Sequence, residues 1–259
     1  MKHRTVGVFT PYLDAPYERP FLKGLQDAAN KHAISLVVFV GGQMNGENPD
    51  ELRFNRCYQL ASSRSIDGLI VPTTFMTQLM TPHDRAEFFH RYSAIPTISV
   101  FDRVEGVKGL TWDAAAALRL LMLHLIGDHG CRRIAFAPDD ICVKGLHNVY
   151  RTICEEHGLI LDDHLLVRAM GPNENDGQEL VKELIDHRGM RPDALITTSA
   201  LAASGAGHLL RERGFSLPDD IRLATLANDD FEWPVTTAVE PLPELAEAAL
   251  VLLIEMLEG

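Results

Sequence analysis

Few residues in this chain have a type and spacing that could do chemistry. His124 and His129 offer two imidazoles beside an apolar helical run. Five positions do not place them on one helical face, so packing or capping outweighs metal ligation. Asp139-Asp140 and Asp229-Asp230 are adjacent acids whose side chains point different ways, the pattern of solvated loop carboxylates and not of a paired acid and base. The cysteines, Cys57, Cys131, Cys142 and Cys154, show no C-x-x-C spacing, which argues against a zinc site and against a disulfide framework. The patterns that cradle phosphate or present a nucleophile, G-x-G-x-x-G, G-x-S-x-G and the P-loop, do not occur. Gly41-Gly42 lacks the helix start that a phosphate cradle requires. No enzyme, metal or cofactor is expected, and binding is the function class that remains.

The elements that would position a binding site alternate between short β-branched runs and helical patterns, the signature of βαβ units and a parallel sheet. Strands are predicted at Thr5 to Phe9, Ser35 to Val40, Gly68 to Pro72 and Thr97 to Phe101, with helices over Phe21 to Lys31, Glu51 to Ala61 and His83 to Tyr92 between them. After Trp112-Asp113 the pattern restarts. Helices are predicted at Ala114 to Ile126, Val149 to His157, Gly177 to His187 and Ala202 to Arg213, and strands at Ile134 to Ala137, Leu165 to Met170, Ala194 to Thr197 and Arg222 to Leu226. A final amphipathic helix covers Pro241 to Leu257. At 259 residues the chain exceeds the size at which one core usually keeps growing. The expected fold class is therefore α/β, two doubly wound parallel-sheet lobes with a ligand cleft between them at the carboxyl ends of the strands.

A formal net charge of -12 opposes any approach to a phosphate backbone or an anionic membrane. The densest basic pair, Arg132-Arg133, is better taken as the polar lead into a strand than as a patch, so no direct nucleic-acid contact is expected from this chain. The apolar stretch near the start is too short for a signal-peptide core, and no later run approaches membrane-spanning length, so a cytoplasmic location is expected.

Several stretches in common order resemble one known family over nearly the whole chain. They are Val6-Gly7-Val8-Phe9-Thr10-Pro11 followed by Phe21 to Ala29, then Ile66-Asp67-Gly68-Leu69-Ile70-Val71, Ser99-Val100-Phe101-Asp102-Arg103 and Leu110-Thr111-Trp112-Asp113. The most specific is His124-Leu125-Ile126 through His129-Gly130-Cys131-Arg132-Arg133-Ile134-Ala135-Phe136. Gly214 to Ile221, Asp229-Asp230 and Thr236 to Pro241 complete the series. This set resembles the effector-binding domain of the lactose-repressor and galactose-repressor (LacI/GalR) family of transcription regulators, which has the periplasmic-binding-protein-like type I fold. Leu36 to Gly42 with Asn55-Arg56-Cys57-Tyr58 looks most like the branch fused to signalling outputs such as a GGDEF diguanylate cyclase, a histidine kinase or a phosphatase. No helix-turn-helix precedes Thr5, and Gly259 follows the last helix directly where the resemblance implies a further strand, so a longer parent protein is expected.

The resemblance implies an N-terminal lobe of residues 1–105 with 240–259 and a C-terminal lobe of residues 106–239. It also implies a small-molecule effector, sugar-like or otherwise polar, that drives lobe closure in a homodimer, with Leu25 and Leu36 near the dimer face. The loop carrying Tyr12, Asp14 and Tyr17 offers an aromatic platform and hydrogen-bonding groups, with packing of the loop itself as the equal alternative. Thr73, Thr74 and Phe75 follow the third strand. Asp102 and Arg103 close the rim, or form an ion pair at the hinge. In the second lobe Leu146 stands where the family carries a ligand-forking arginine, and Ser199-Ala200 stand where it carries an Asn-Asp pair. Asp229 remains as a polar anchor facing the cleft or as a turn cap. A dimerisation module without ligand and a solute-binding protein are the alternative functions.

Overall fold

Strand β1 (Thr5–Thr10) is apolar on both faces, as a strand covered on two sides must be. Its period of two sends Val6 and Val8 to one face and Phe9 to the other, and the two sets belong to separate cores. In β3 (Gly68–Pro72), Ile70 joins Val6 and Val8, while Leu69 and Val71 join Phe9. The computed structural model describes residues 4–259 except 16, 47–48, 78, 139–144, 169–170, 172 and 228–230, and only the backbone of Asp50, Glu51 and Phe75. Contacts divide the chain into two units, Met1–Trp112 with Pro241–Gly259, and Asp113–Glu240.

Unit 1 holds a parallel sheet in the order β2-β1-β3-β4-β5, where β2 is Ser35–Val40, β4 is Thr97–Val100 and β5 is Lys108–Leu110. β2 is an edge strand on which Val37, Val38 and Val40 are 40%, 38% and 37% exposed. Helix α1 (Glu18–Lys31) packs one face of the sheet through Phe21, Leu25, Ala28 and Ala29, together with Ala246, Ala249, Leu250 and Leu253 of the last helix, Leu242–Glu258. Gly24 allows this pairing, since a Cβ there would lie 2.6 Å from the Cα of Pro243. On the opposite face Phe9 is ringed by Phe39, Tyr58, Phe88 and Tyr92 at centroid distances of 4.8 to 6.1 Å. The helix expected over Glu51 to Ala61 is α2 (Pro49–Phe54) followed by a 3-10 segment, Asn55–Leu60, that turns Tyr58 into this core. Two further helices are α3 (Thr73–Thr77) and α4 (Pro82–His90). α4 opens on a capping box between Thr81 and Asp84.

Residues 106–112, expected in the second lobe, lie with unit 1 because β5 is hydrogen bonded to β4 with Gly109 opposite Ser99. A strand of Lys-Gly-Leu is too short to show alternation, and Gly109 is there because a Cβ would lie 2.3 Å from the Ser99 Oγ.

Unit 2 has a parallel sheet in the order β6-β7-β8-β9, formed by Ile134–Ala137, Ala194–Thr197, Arg222–Thr225 and Val235–Thr237. Its helices are α5 (Ala114–Gly127), α6 (Leu146–Glu156), α7 (Glu174–Val181) and α8 (Ala200–Glu212); the last helix of the chain, in unit 1, is α9. Asp113 starts α5 by accepting the Ala116 N–H at 2.9 Å. Of the strand expected over Leu165 to Met170, residues 169–170 lie outside the described residues; the described part makes one bridge, Leu166 to Phe136, with a 3-10 turn at Asp163–Leu165 at its start. The helix expected to run to His187 passes after α7 into a π-helical turn, Lys182–His187. Among the described residues, no helix is long and apolar enough to cross a membrane.

Candidate functional site

Parallel sheets bind ligands outside the carboxyl ends of their strands, at the point where the chain reverses its direction of growth across the sheet. In unit 1 that point lies between β1 and β3, since β2 flanks β1 on the other side. The expected first-lobe residues follow β1, β3 and β4, so the sheet brings their three loops to one edge.

What each side chain does there differs. Tyr12 is 42% exposed, and its carbonyl accepts the Thr10 hydroxyl at 2.7 Å. Asp14 is exposed and 3.6 Å from Arg19. Tyr17 lies half-buried against the core cluster of Val6, Phe21 and Leu25, which is its packing reading. Thr73 is fully buried and its hydroxyl donates to the Val71 carbonyl at 3.1 Å, capping the end of β3 from within. Phe75 belongs to α3, and its side chain lies outside the described residues. Asp102 pairs with Arg85 of α4, not with Arg103; the neighbouring Arg103 reaches it only through its backbone N–H, at 2.8 Å, and stands exposed. The ion pair expected between Asp102 and Arg103 is thereby replaced by one to a residue 17 positions away.

Two unit 1 residues at this edge escaped sequence reasoning. Phe101 directly follows β4 at φ +76°, a left-handed conformation that is costly for a bulky side chain, and its ring lies 5.2 Å from that of Phe21. Glu18, the first residue of α1, is buried. Loss of hydration holds its carboxyl above the usual range, while its own backbone N–H works in the opposite direction.

In unit 2 the strand ends are occupied by threonines. Thr197, fully buried at the end of β7, donates to the Ser199 carbonyl at 2.9 Å. The Ser199 hydroxyl accepts the Ala202 N–H at 3.4 Å and so caps α8. Leu146 is 2% exposed and packs inward as the first residue of α6, where the resemblance places an arginine. Thr225, at the end of β8, is fully buried with a hydroxyl that has no hydrogen-bond partner among the described residues. The same holds for Trp233 Nε1, whose ring stands edge-on to His208 at 4.7 Å. Asp229, with Asp230, lies outside the described residues, as do Asp139 and Asp140. Glu240, the last residue of this unit, is 8% exposed, and burial pushes its carboxyl up to about 7. No signal in the sequence separates Thr225 or Glu240 from other polar residues at element ends.

A family model for a periplasmic binding protein-like domain matches residues 123–259. Catabolite control protein A of Staphylococcus xylosus is 22% identical over 258 residues, which cover 96% of this chain and 73% of that protein. Among solved structures, a LacI family transcriptional regulator from Mycobacterium smegmatis has a TM-score of 0.75 at 23% identity, covering 98% of this chain and 91% of its own. The LacI family transcriptional regulator CCPA from Weissella paramesenteroides with bound glucose also has a TM-score of 0.75, at 18% identity, covering 97% and 92% of the two chains. The expected α/β class with two parallel sheets is borne out by these likenesses and by the strand order.

Proposed function

We propose that this chain, which belongs to the periplasmic binding protein-like domain family, is the effector-sensing part of a transcription regulator. The observation that carries the reading is the Thr225 hydroxyl, buried at the carboxyl end of β8 without a partner among the described residues. A buried hydroxyl left unpaired costs about 1–3 kcal/mol, a cost that a bound ligand or a buried water would relieve. The glucose held by the Weissella paramesenteroides neighbour makes sugars the first effector class to consider. Leu146 and Ser199, one turned into the core and the other engaged as a helix cap, leave fewer polar anchors than the family resemblance implies, so a bound sugar would be held through fewer of its hydroxyls.

Sensing works by differential affinity. An effector that binds one arrangement of the two units better than another shifts the population toward it, by no more than that difference. A chain of net charge -12 opposes the approach of DNA, so DNA contact is assigned to another segment of the regulator. The regulator names of the relatives favour that output over a cyclase or kinase.

Thr225→Val tests the reading with two readouts of opposite sign. Removing the unpaired hydroxyl is expected to raise stability by about 1 kcal/mol, while calorimetric titration with glucose shows affinity falling roughly tenfold. A variant that binds glucose as the parent does removes Thr225 from the site; a parent that gives no heat with glucose, sucrose or nucleosides rejects the effector class.

A further inference from the structure

His124 and His129 meet in the structure. α5 ends at Gly127, and Asp128 follows in a right-handed conformation with its N–H on the His124 carbonyl at 2.9 Å, so His129 stays beside the last helical turn and the spacing that keeps the pair off one helical face does not keep them apart. Their Nε2 atoms are 3.1 Å from each other, with the rings at 89° and the ring centres 4.7 Å apart. The Nδ1 of His124 is 2.6 Å from Asp128 Oδ2. That carboxylate holds the His124 hydrogen on Nδ1 and leaves the Nε2 lone pair facing His129. A carboxylate behind an imidazole is also the arrangement that orients metal-ligating histidines.

We propose that His124 and His129 together bind one divalent transition-metal ion through their paired Nε2 atoms, with Asp128 as the positioning residue, and that copper(II) is preferred over zinc. With each nitrogen at the metal–imidazole distance of about 2.0–2.1 Å, a separation of 3.1 Å subtends an angle at the ion slightly wider than a right angle. That angle, roughly 95–102° over this range of distances, lies between the right angle of tetragonal sites and the tetrahedral one, so the preference for copper(II) rests on its place at the top of the divalent affinity order. Among the described residues no cluster of three ligating side chains occurs, so water or other external donors complete the coordination. Both rings are reachable, with His124 41% exposed and His129 exposed. In the metal-free chain His129 donates its Nε2 hydrogen to His124. When the ion binds, that hydrogen is lost to water and one returns at His129 Nδ1, so no net proton is released. The pair precedes β6, at the opposite end of the strand from the carboxyl ends that carry the effector reading, and the two proposals stand independently.

The test is copper(II) titration followed by electron paramagnetic resonance, in a His3→Ala background that removes a competing imidazole outside the described residues. The expected result is one tightly held copper per chain with coupling to two imidazole nitrogens. His124→Gln and His129→Gln should each lower affinity at least tenfold, and Asp128→Asn should do so by roughly tenfold or more, with the metal-free thermal midpoint unchanged in all three. Wild-type copper affinity in either histidine variant overturns the proposal. So does a spectrum of the unsubstituted pair without two imidazole couplings, which holds even if a variant fails to fold.

Discussion

Gly205→Val is expected to destabilise unit 2 by about 3 kcal/mol, the upper end of the range for overpacking. A Cβ at Gly205 in α8 would lie 2.0 Å from the backbone carbonyl oxygen of Glu174 in α7, and one at Gly177 in α7 would lie 2.0 Å from that of Ala202 in α8. Both obstacles are backbone, so the strain cannot be relieved by a side-chain rotation; the helices must separate and uncover Leu180, Leu209 and Leu210 between them. Gly158→Ala is the control, because Gly158 has φ +59° with nothing within 4 Å of an added Cβ. Its cost is the left-handed backbone alone, roughly 1–2 kcal/mol. Urea unfolding followed by circular dichroism separates the two. A Gly205→Val midpoint no lower than that of Gly158→Ala would show that α7 and α8 are not in backbone contact.

Glu240→Gln should change how stability depends on pH. The carboxyl has an ordinary value of 4.5 and burial raises it to about 7. Below 4.5 the group is protonated in both the folded and the unfolded chain and the two states are treated alike. Between 4.5 and 7 the unfolded chain ionises first, so the stabilising effect of the neutral folded carboxyl is progressively lost as pH rises, and above 7 the loss is complete. A difference of that size corresponds to about 3 kcal/mol. Because Glu240 is only 8% exposed, solvent screening takes little from it. Glutamine cannot ionise, so the variant should match the parent at pH 4 and exceed it by about 3 kcal/mol at pH 8. Parallel stability curves for the two proteins across that range would show that Glu240 is hydrated in the folded chain.

The strands that carry the two sheets were legible because burial on both faces demands short runs free of charged residues, and Val6 to Phe9, Leu69 to Val71, Ile134 to Ala137 and Ala194 to Thr197 supply them. β5 and β9 were not, since three residues hold too little periodicity and their place is set by the strand beside them. At the candidate site, the sequence places polar residues after strands but does not say which way each hydroxyl turns. Thr73 closes on the carbonyl of Val71, whereas Thr225, at the same kind of strand end, finds no partner among the described residues. Asp102 illustrates the same limit: adjacency favours Arg103, but the guanidinium that reaches it comes from α4. The His124 and His129 contact forms where the chain leaves α5 at Asp128, beyond the last residue a helical wheel places. Phe101 adopts a positive φ that no propensity for phenylalanine would predict.

A ligand that binds only the folded chain must raise its unfolding midpoint. The most direct measurement of the sensor reading is therefore a thermal-shift series with purified protein against sugars, nucleosides, purines, amino acids and small carboxylates. A saturable rise with one chemical class, sugars first, is the predicted result. A midpoint unmoved by every class would contradict effector sensing and leave the fold with a role in assembly alone.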